Sequence, residues 1–320
     1  MTPLLIAAGT LRIDAVTAEV SRALAASGVQ NILLKGPSIS AWLYADGTPR
    51  PYGDTDLLVD LDAWAPAQQV LRDLGFVQTQ AEFEHPRMRS YASDPWRRGG
   101  SDVDLHATLH GFGVSPAVAW RYLSRDTDVL RLGGVEVSTL AAPARAMHIA
   151  MHAAHHGLHT EQTLEDLRRA VAQLDDEVWT QAADLAADLQ ATEAMAAGLR
   201  LLPEGLVVAT RLGIEDAASV ESALKTSPVA TAQGFGELAT TPGLAAKLGI
   251  IRRELAPTPS FMRWWSPLAR RGPRGLAAAY VWRLLYLTVQ APGGMRAWRE
   301  ASRQAHDWEA QRIRRHPPKA

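Results

Sequence analysis

Two aspartates one residue apart, Asp54 and Asp56, open the apolar stretch "DTDLLVD". On an extended strand residues i and i+2 share a face, so these carboxylates project side by side while Thr55, Leu57 and Val59 take the other face. Adjacent anions repel unless a cation lies between them, and hard divalent cations take oxygen ligands of this kind. A carboxylate pair at a strand start also serves as loop caps or solvated surface charge. Further acids favour the cation: "SDVDLH" puts Asp102, Asp104 and His106 on one face of another strand, so a third carboxylate is available. Upstream, Gly36 permits close approach of backbone to a ligand, and Ser38 opens a helix whose N–H groups suit phosphate. Two Mg²⁺ ions on three carboxylates, beside such a cradle, suit in-line displacement on a nucleoside triphosphate by a hydroxyl.

The elements that must position these groups can be read from period and punctuation. Residues 11–27 have helical spacing and feed a buried strand in "GVQNILLK". "SISAWLYA" reads as a short helix, 46–53 as a Gly- and Pro-containing loop, "DTDLLVD" as a second strand, and 61–75 as a helix with Pro66 in its first turns. "GFVQTQ", "EFEHPRMRSYAS" and "SDVDLHATLHG" read as strands with turns at "DPWRRGGS", and "TDVLRLGGVEVSTL" as a hairpin bending at Gly133-Gly134. From Pro143 the period turns helical, with segments near 143–156, 160–174, 177–190, 191–202, 216–224, 275–290 and 294–314. The expected fold is α+β over residues 1–140, followed by an α-helical domain over 141–320 with a basic C-terminal region.

In this order, "LLKGPSISAWLYADGTPRPYGDTDLLVD" and "VDLHATL" closely resemble the uncharacterised nucleotidyltransferase family of the DNA polymerase β-like superfamily. That family pairs a Lys-Gly helix start with an Arg, an Asp-x-Asp-Leu-Leu-Val strand and a later Asp-Leu-His strand. The resemblance covers roughly residues 30–110, and it implies a mixed-sheet polymerase β-like catalytic core in residues 1–140. It implies Asp54, Asp56 and Asp104 as catalytic residues and Mg²⁺ ligands, with Asp104 as base or hydroxyl orienter. Gly36 and Ser38 fall at the triphosphate, and Lys35 and Arg50 become phosphate-side cations. His106, beside the metal site, orients a carboxylate, touches a nucleotide phosphate or simply packs. The sequence departs from the superfamily where Pro37 separates Gly36 from Ser38. The implied reaction transfers a nucleoside monophosphate from an NTP to a hydroxyl or phosphate of an acceptor. Relatives accompany peptide natural-product clusters, including those of lasso peptides, which suggests a modified peptide or small molecule as acceptor.

Composition narrows the alternatives. With no cysteine among 320 residues, thiolate chemistry, disulfides and cysteine-ligated zinc are excluded. The N-terminus has no basic region ahead of its apolar run, so the expectation is a cytoplasmic protein. "GLAAAYVWRLLYLTVQAP" is short for a membrane span and carries Arg283, which predicts a buried helix. Residues 263–320 hold eleven Arg and one Lys against Glu300, Asp307 and Glu309, with Trp264, Trp265, Trp282, Trp298 and Trp308 between them. Such a region solvates a helical surface or contacts RNA. A toxin- or antitoxin-type enzyme modifying tRNA or a protein, and an inactive nucleotide- or RNA-binding protein, are therefore the competing readings. His148, His152, His155 and His159 form a helical stripe. It suits either a transition metal or the wall of a catalytic cleft. Trp42 and Tyr44 read as packing residues.

Overall fold

The computed structural model describes residues 3–79, 93–214, 231–241 and 243–315. The expected strand "EFEHPRMRSYAS" and the expected helix 216–224 lie mostly or wholly outside them. The chain forms two compact units divided near residue 215, with 157–159 assigned to the second.

The first unit is built on a seven-stranded mixed sheet ordered β3-β4-β5-β2-β1-β7-β6. Its strands are β1 (Asn31–Leu33), β2 (Asp54–Val59), β3 (Val77–Gln78), β4 (Asp94–Arg98), β5 (Ser101–His106), β6 (Thr127–Leu132) and β7 (Val135–Leu140). Strand β2 runs antiparallel to β1 and parallel to β5, whereas β4 and β5 form a hairpin. The expected hairpin at Gly133-Gly134 is present: Leu132 pairs with Val135, and both glycines take positive φ as a tight two-residue turn requires.

One stretch read as a turn is a strand. In "DPWRRGGS", Asp94–Arg98 pairs with β5 and only Gly99-Gly100 turns, with φ of 54° and 79°. The Pro and Gly residues resemble punctuation, but Trp96 is buried against the sheet core and pulls the segment into register.

Two apolar layers flank the sheet. On one face Leu33, Leu57, Val59, Val103 and Leu105 pack with α1 (Pro3–Ala26) and α3 (Trp64–Asp73). Each fully buried side chain of this kind contributes roughly 1.5–3 kcal/mol. Helix α1 is also pinned by polar contacts, since Thr17 Oγ1 lies 2.8 Å from Thr55 Oγ1 and donates to Ile13 O. On the other face Ile32, Leu34, Leu58 and Leu140 meet α2 (Pro37–Leu43), α4 (Pro116–Leu123) and α5 (Ala142–His156). Helices α6 (Glu161–Gln173), α7 (Asp176–Asp188), α8 (Thr192–Leu199) and α9 (Pro203–Arg211) add to this layer. Alternation therefore puts the Asp54–Asp56 face of β2 toward α5, and the core behind it on the α1 side.

The second unit contains helices Thr231–Thr240, Leu244–Leu255, Pro259–Trp265 and Gly272–Arg315. The last is one helix where two were expected, because Pro292 is accommodated inside it at an exposed position. Its apolar stretch is not buried as expected: Val281, Trp282, Leu285 and Val289 are exposed, and the side chains turned inward include Ala279 and Arg283. Arg283 bonds Glu254 and lies over the rings of Phe261 and Trp265, which satisfies its charge and makes it the better inward residue. The side chains of Trp264 and Trp308 lie outside the described ones. Among the described residues no helix is long and apolar enough to cross a membrane.

Candidate active site

Parallel pairing without offset brings Asp54 opposite Asp102, Asp56 opposite Asp104 and Leu58 opposite His106. The residues of two distant segments thus meet on one face. Asp56, Asp104 and His106 each offer a ligand atom, all within 4.8 Å of one another. His106 Nε2 lies 3.2 Å from Asp56 Oδ1 and 3.5 Å from Asp104 Oδ2. The Ser93 hydroxyl donates to Asp104 Oδ2 at 2.7 Å.

Strand β1 brings in Lys35 at its end. Its ammonium lies 3.1 Å from Asp56 Oδ1 and 3.9 Å from Asp54 Oδ2, a cation seated between the two acids. Burial works against that charge, yet Asp56 and Asp54 together hold the Lys35 pKa above its ordinary value. Burial would likewise raise Asp56, but Lys35 and His106 outweigh it and hold its carboxyl down to about 2. Asp54 and Asp104 are both raised, first by burial and then by their acidic neighbours. His106 is raised against its burial by Asp56 and Asp104.

Two carboxylate oxygens break the usual accounting. Asp56 Oδ2 and Asp104 Oδ1 are buried without a hydrogen-bond donor among the described residues. Buried polar atoms are normally satisfied, and an unpaired carboxylate oxygen is costly. Two such oxygens on facing strands fit a hard divalent cation, so the donor set suits Mg²⁺ or Mn²⁺. Asp102 is differently placed: Arg97 holds both its oxygens at 2.6 and 2.9 Å in an exposed pair.

The Lys35–Ser38 turn is built from its glycine. Gly36 adopts φ 65°, ψ −114°, and a Cβ there would lie 3.5 Å from the Tyr52 ring. Pro37 then starts α2, where its missing N–H costs nothing. Ser38 is buried, with its hydroxyl 3.4 Å from Lys35 O. Arg50 lies 3.3 Å from Gly36 O, but its guanidinium is joined in a two-pronged pair to Asp166 of α6.

The histidines of α5 line the Lys35 side. His148 and His152 have ring centroids 5.8 Å apart, and His152 and His156 4.5 Å apart. Gly157, at φ 61°, closes the helix, so His156 rather than His159 continues the stripe. The His159 side chain lies outside the described ones. His155 turns outward and stacks on His110 at 4.5 Å. Burial drives the pKa of His148 down to about 4, aided by the Lys35 charge, and that of His152 well below its ordinary value. Trp42 lies beneath Arg145, 4.4 Å from its centre, and Tyr44 is buried, so both pack. Ser93 and Asp166 were missed from sequence: neither sits in a motif, and both arrive through tertiary contacts.

Among solved structures, the chain is similar to the antibiotic-resistance factor ANT(2'')-Ia, at 14% identity and TM-score 0.37, over 56% of this chain and 96% of that one. It is also similar to an antigenic nucleotidyltransferase-like protein from Paracoccidioides brasiliensis, at 14% identity and TM-score 0.35, over 56% of this chain and 92% of that one. A comparison with curated proteins finds no match. The profile of the uncharacterised nucleotidyltransferases matches residues 4–206, which takes in every site residue described above, and the chain belongs to that family.

Proposed function

We propose that the protein transfers a nucleoside monophosphate from an NTP to a hydroxyl or phosphate of an acceptor, releasing pyrophosphate. The observation that carries this reading is the pair of donorless carboxylate oxygens on Asp56 and Asp104, in a member of a nucleotidyltransferase family. Asp54, Asp56 and Asp104 would hold two Mg²⁺ ions, which supply charge neutralisation at the phosphates and activation of the attacking hydroxyl.

The chain's own groups do the rest. Asp104, with its pKa raised, takes the acceptor proton or orients the hydroxyl. Asp56 stays ionised under all ordinary conditions and serves as a constant ligand. Lys35, relieved of Asp54 and Asp56 when these bind a cation, is the nearest ammonium for the phosphates. The Gly36–Ser38 turn cradles the triphosphate, and His106 orients the two carboxylates it bonds or touches a phosphate. Residues 1–140 supply these groups as the catalytic core, and helix α5, toward which the Asp54–Asp56 face of β2 is turned, supplies the facing wall. The acceptor is a peptide or small molecule, by analogy with relatives in peptide natural-product clusters.

Purified protein incubated with each of the four NTPs, Mg²⁺ and candidate acceptors tests this reading by pyrophosphate release. Release that requires both acceptor and Mg²⁺ is expected. Absence of binding to all four Mg²⁺–NTPs in calorimetry would overturn the reading and favour an inactive protein. Co-purification of tRNA, lost at high salt, would instead favour RNA as acceptor.

A further inference from the structure

Arg50 makes its strongest bonds to protein. Its Nε donates to Asp166 Oδ1 at 2.8 Å and its Nη2 to Asp166 Oδ2 at 2.6 Å, while Nη1 reaches Gly36 O at 3.3 Å. Arg50 is 6% exposed and Asp166 2%, so both charges are shielded from water. A two-pronged arginine–carboxylate pair is geometrically demanding, and removing one partner leaves the other buried and uncompensated. Asp166 is fixed in turn, because its Oδ1 also accepts from the Tyr44 hydroxyl at 2.6 Å and from Gln162 Nε2 at 3.1 Å.

The same helix grips the far end of α2. Arg169 Nη1 and Gln173 Nε2 both donate to Leu43 O, each at 3.2 Å. Helix α6 therefore holds α2 at both ends, through Arg50 at Gly36 O and directly at Leu43 O. The first of these contacts bears on chemistry. Gly36 O, which also accepts from Ser40 N–H at 3.0 Å, is part of the peptide that turns the chain at positive φ. That carbonyl lies in the Gly36–Pro37 peptide, which carries no N–H; fixing its plane restrains the Gly36 ψ angle and, with the proline ring holding the next φ, the orientation of the two flanking peptides that carry the Gly36 and Ser38 N–H groups.

We propose that Asp166 is a positioning residue for the triphosphate: acting through Arg50, it locks the Gly36 peptide and so preorganises the Lys35–Ser38 turn. The inference rests on the nucleotidyl-transfer reading. It assigns Arg50 a role at one remove from the phosphates, in place of direct contact.

The test is calorimetric titration of the full chain with Mg²⁺ and each of ATP, CTP, GTP and UTP, together with ¹H–¹⁵N spectra of the nucleotide-free protein. Asp166→Asn and Arg50→Lys should each weaken binding of the preferred nucleotide by about tenfold, and the double variant should be no worse than either alone, as for two parts of one device. The Gly36 and Ser38 amide signals should shift in Asp166→Asn while those of Val135–Leu140 stay in place, which a general loss of stability would not produce. Unchanged or tighter binding in Asp166→Asn would overturn the proposal, because an Arg50 released from Asp166 would then be contacting the phosphates itself. If neither charge variant folds, Tyr44→Phe, which removes one bond to Asp166, should weaken binding more mildly; unchanged binding and signals there would also overturn it. Failure of the wild-type protein to bind any of the four nucleotides removes the nucleotidyl-transfer reading and this proposal together, and is distinguished by being read first.

Discussion

Asp56 and Asp104 lie directly opposite each other on parallel strands, and each keeps one buried oxygen that no donor among the described residues reaches. Asp102, two residues away on the same face of β5, spends both oxygens on Arg97. The contrast is between two buried carboxylates, each with an oxygen left unbonded among the described residues, and a third spent on an exposed ion pair.

Asp104→Asn should therefore lower turnover by at least about a hundredfold, the scale of losing a main electrostatic group in a water-poor site. Its melting temperature should hold or rise, since one of several crowded acids is neutralised. Asp102→Asn should leave turnover intact and shift stability by no more than about 1 kcal/mol, as for other exposed pairs. Turnover assays with thermal denaturation check both variants; the reverse ranking would make Asp102 the working residue.

Gly36 tests the phosphate turn separately. At φ 65°, ψ −114°, outside the left-handed helical region, an alanine is strained by about 1–3 kcal/mol, and its methyl would touch the Tyr52 ring without a hard clash. Gly36→Ala should fold with a slightly lower melting temperature and a raised KM for the NTP. A variant with unaltered KM would place the triphosphate elsewhere.

The α5 histidines predict how stability responds to acid. His148 is neutral in the folded protein down to about pH 4, whereas in the unfolded chain it protonates near 6.5. Over that window the unfolded state binds more protons, so stability rises with pH and is lost as the pH falls from about 6.5 toward 4, at up to about 1.4 kcal/mol per pH unit. His106, held up by Asp56 and Asp104, acts in the opposite sense. The difference between wild type and His148→Gln in urea midpoints at pH 7 and pH 5 isolates the His148 share. A variant with the same pH slope as the wild type would show that His148 is not held neutral.

Much of this site was legible because it is written in period two. Asp54 and Asp56, and likewise Asp104 and His106, fall on one face for any strand, and the Lys-Gly turn is marked by its glycine. What the sequence does not display is partnership across distance. Lys35 reads as a phosphate cation, yet here it sits between Asp54 and Asp56. Arg50 finds its partner 116 residues later, a separation no local pattern encodes. Local punctuation misled in two places: Pro95 and Gly99-Gly100 mask the strand that buries Trp96, and Pro292 with Gly293-Gly294 suggests a break inside the helix Gly272–Arg315. In each case tertiary packing or exposure decided what propensity left open.

The in-step alignment of β5 beside β2 also makes the centre intolerant of length change. Slipping β5 by a single residue, through one insertion or deletion after Gly100, would turn Val103 and Leu105 toward α5 and send Asp104 and His106 into the hydrocarbon packed on α1 and α3. The residue count between the Gly99-Gly100 bend and Asp104 is therefore fixed by the pleat, whatever side chains the intervening positions carry toward solvent.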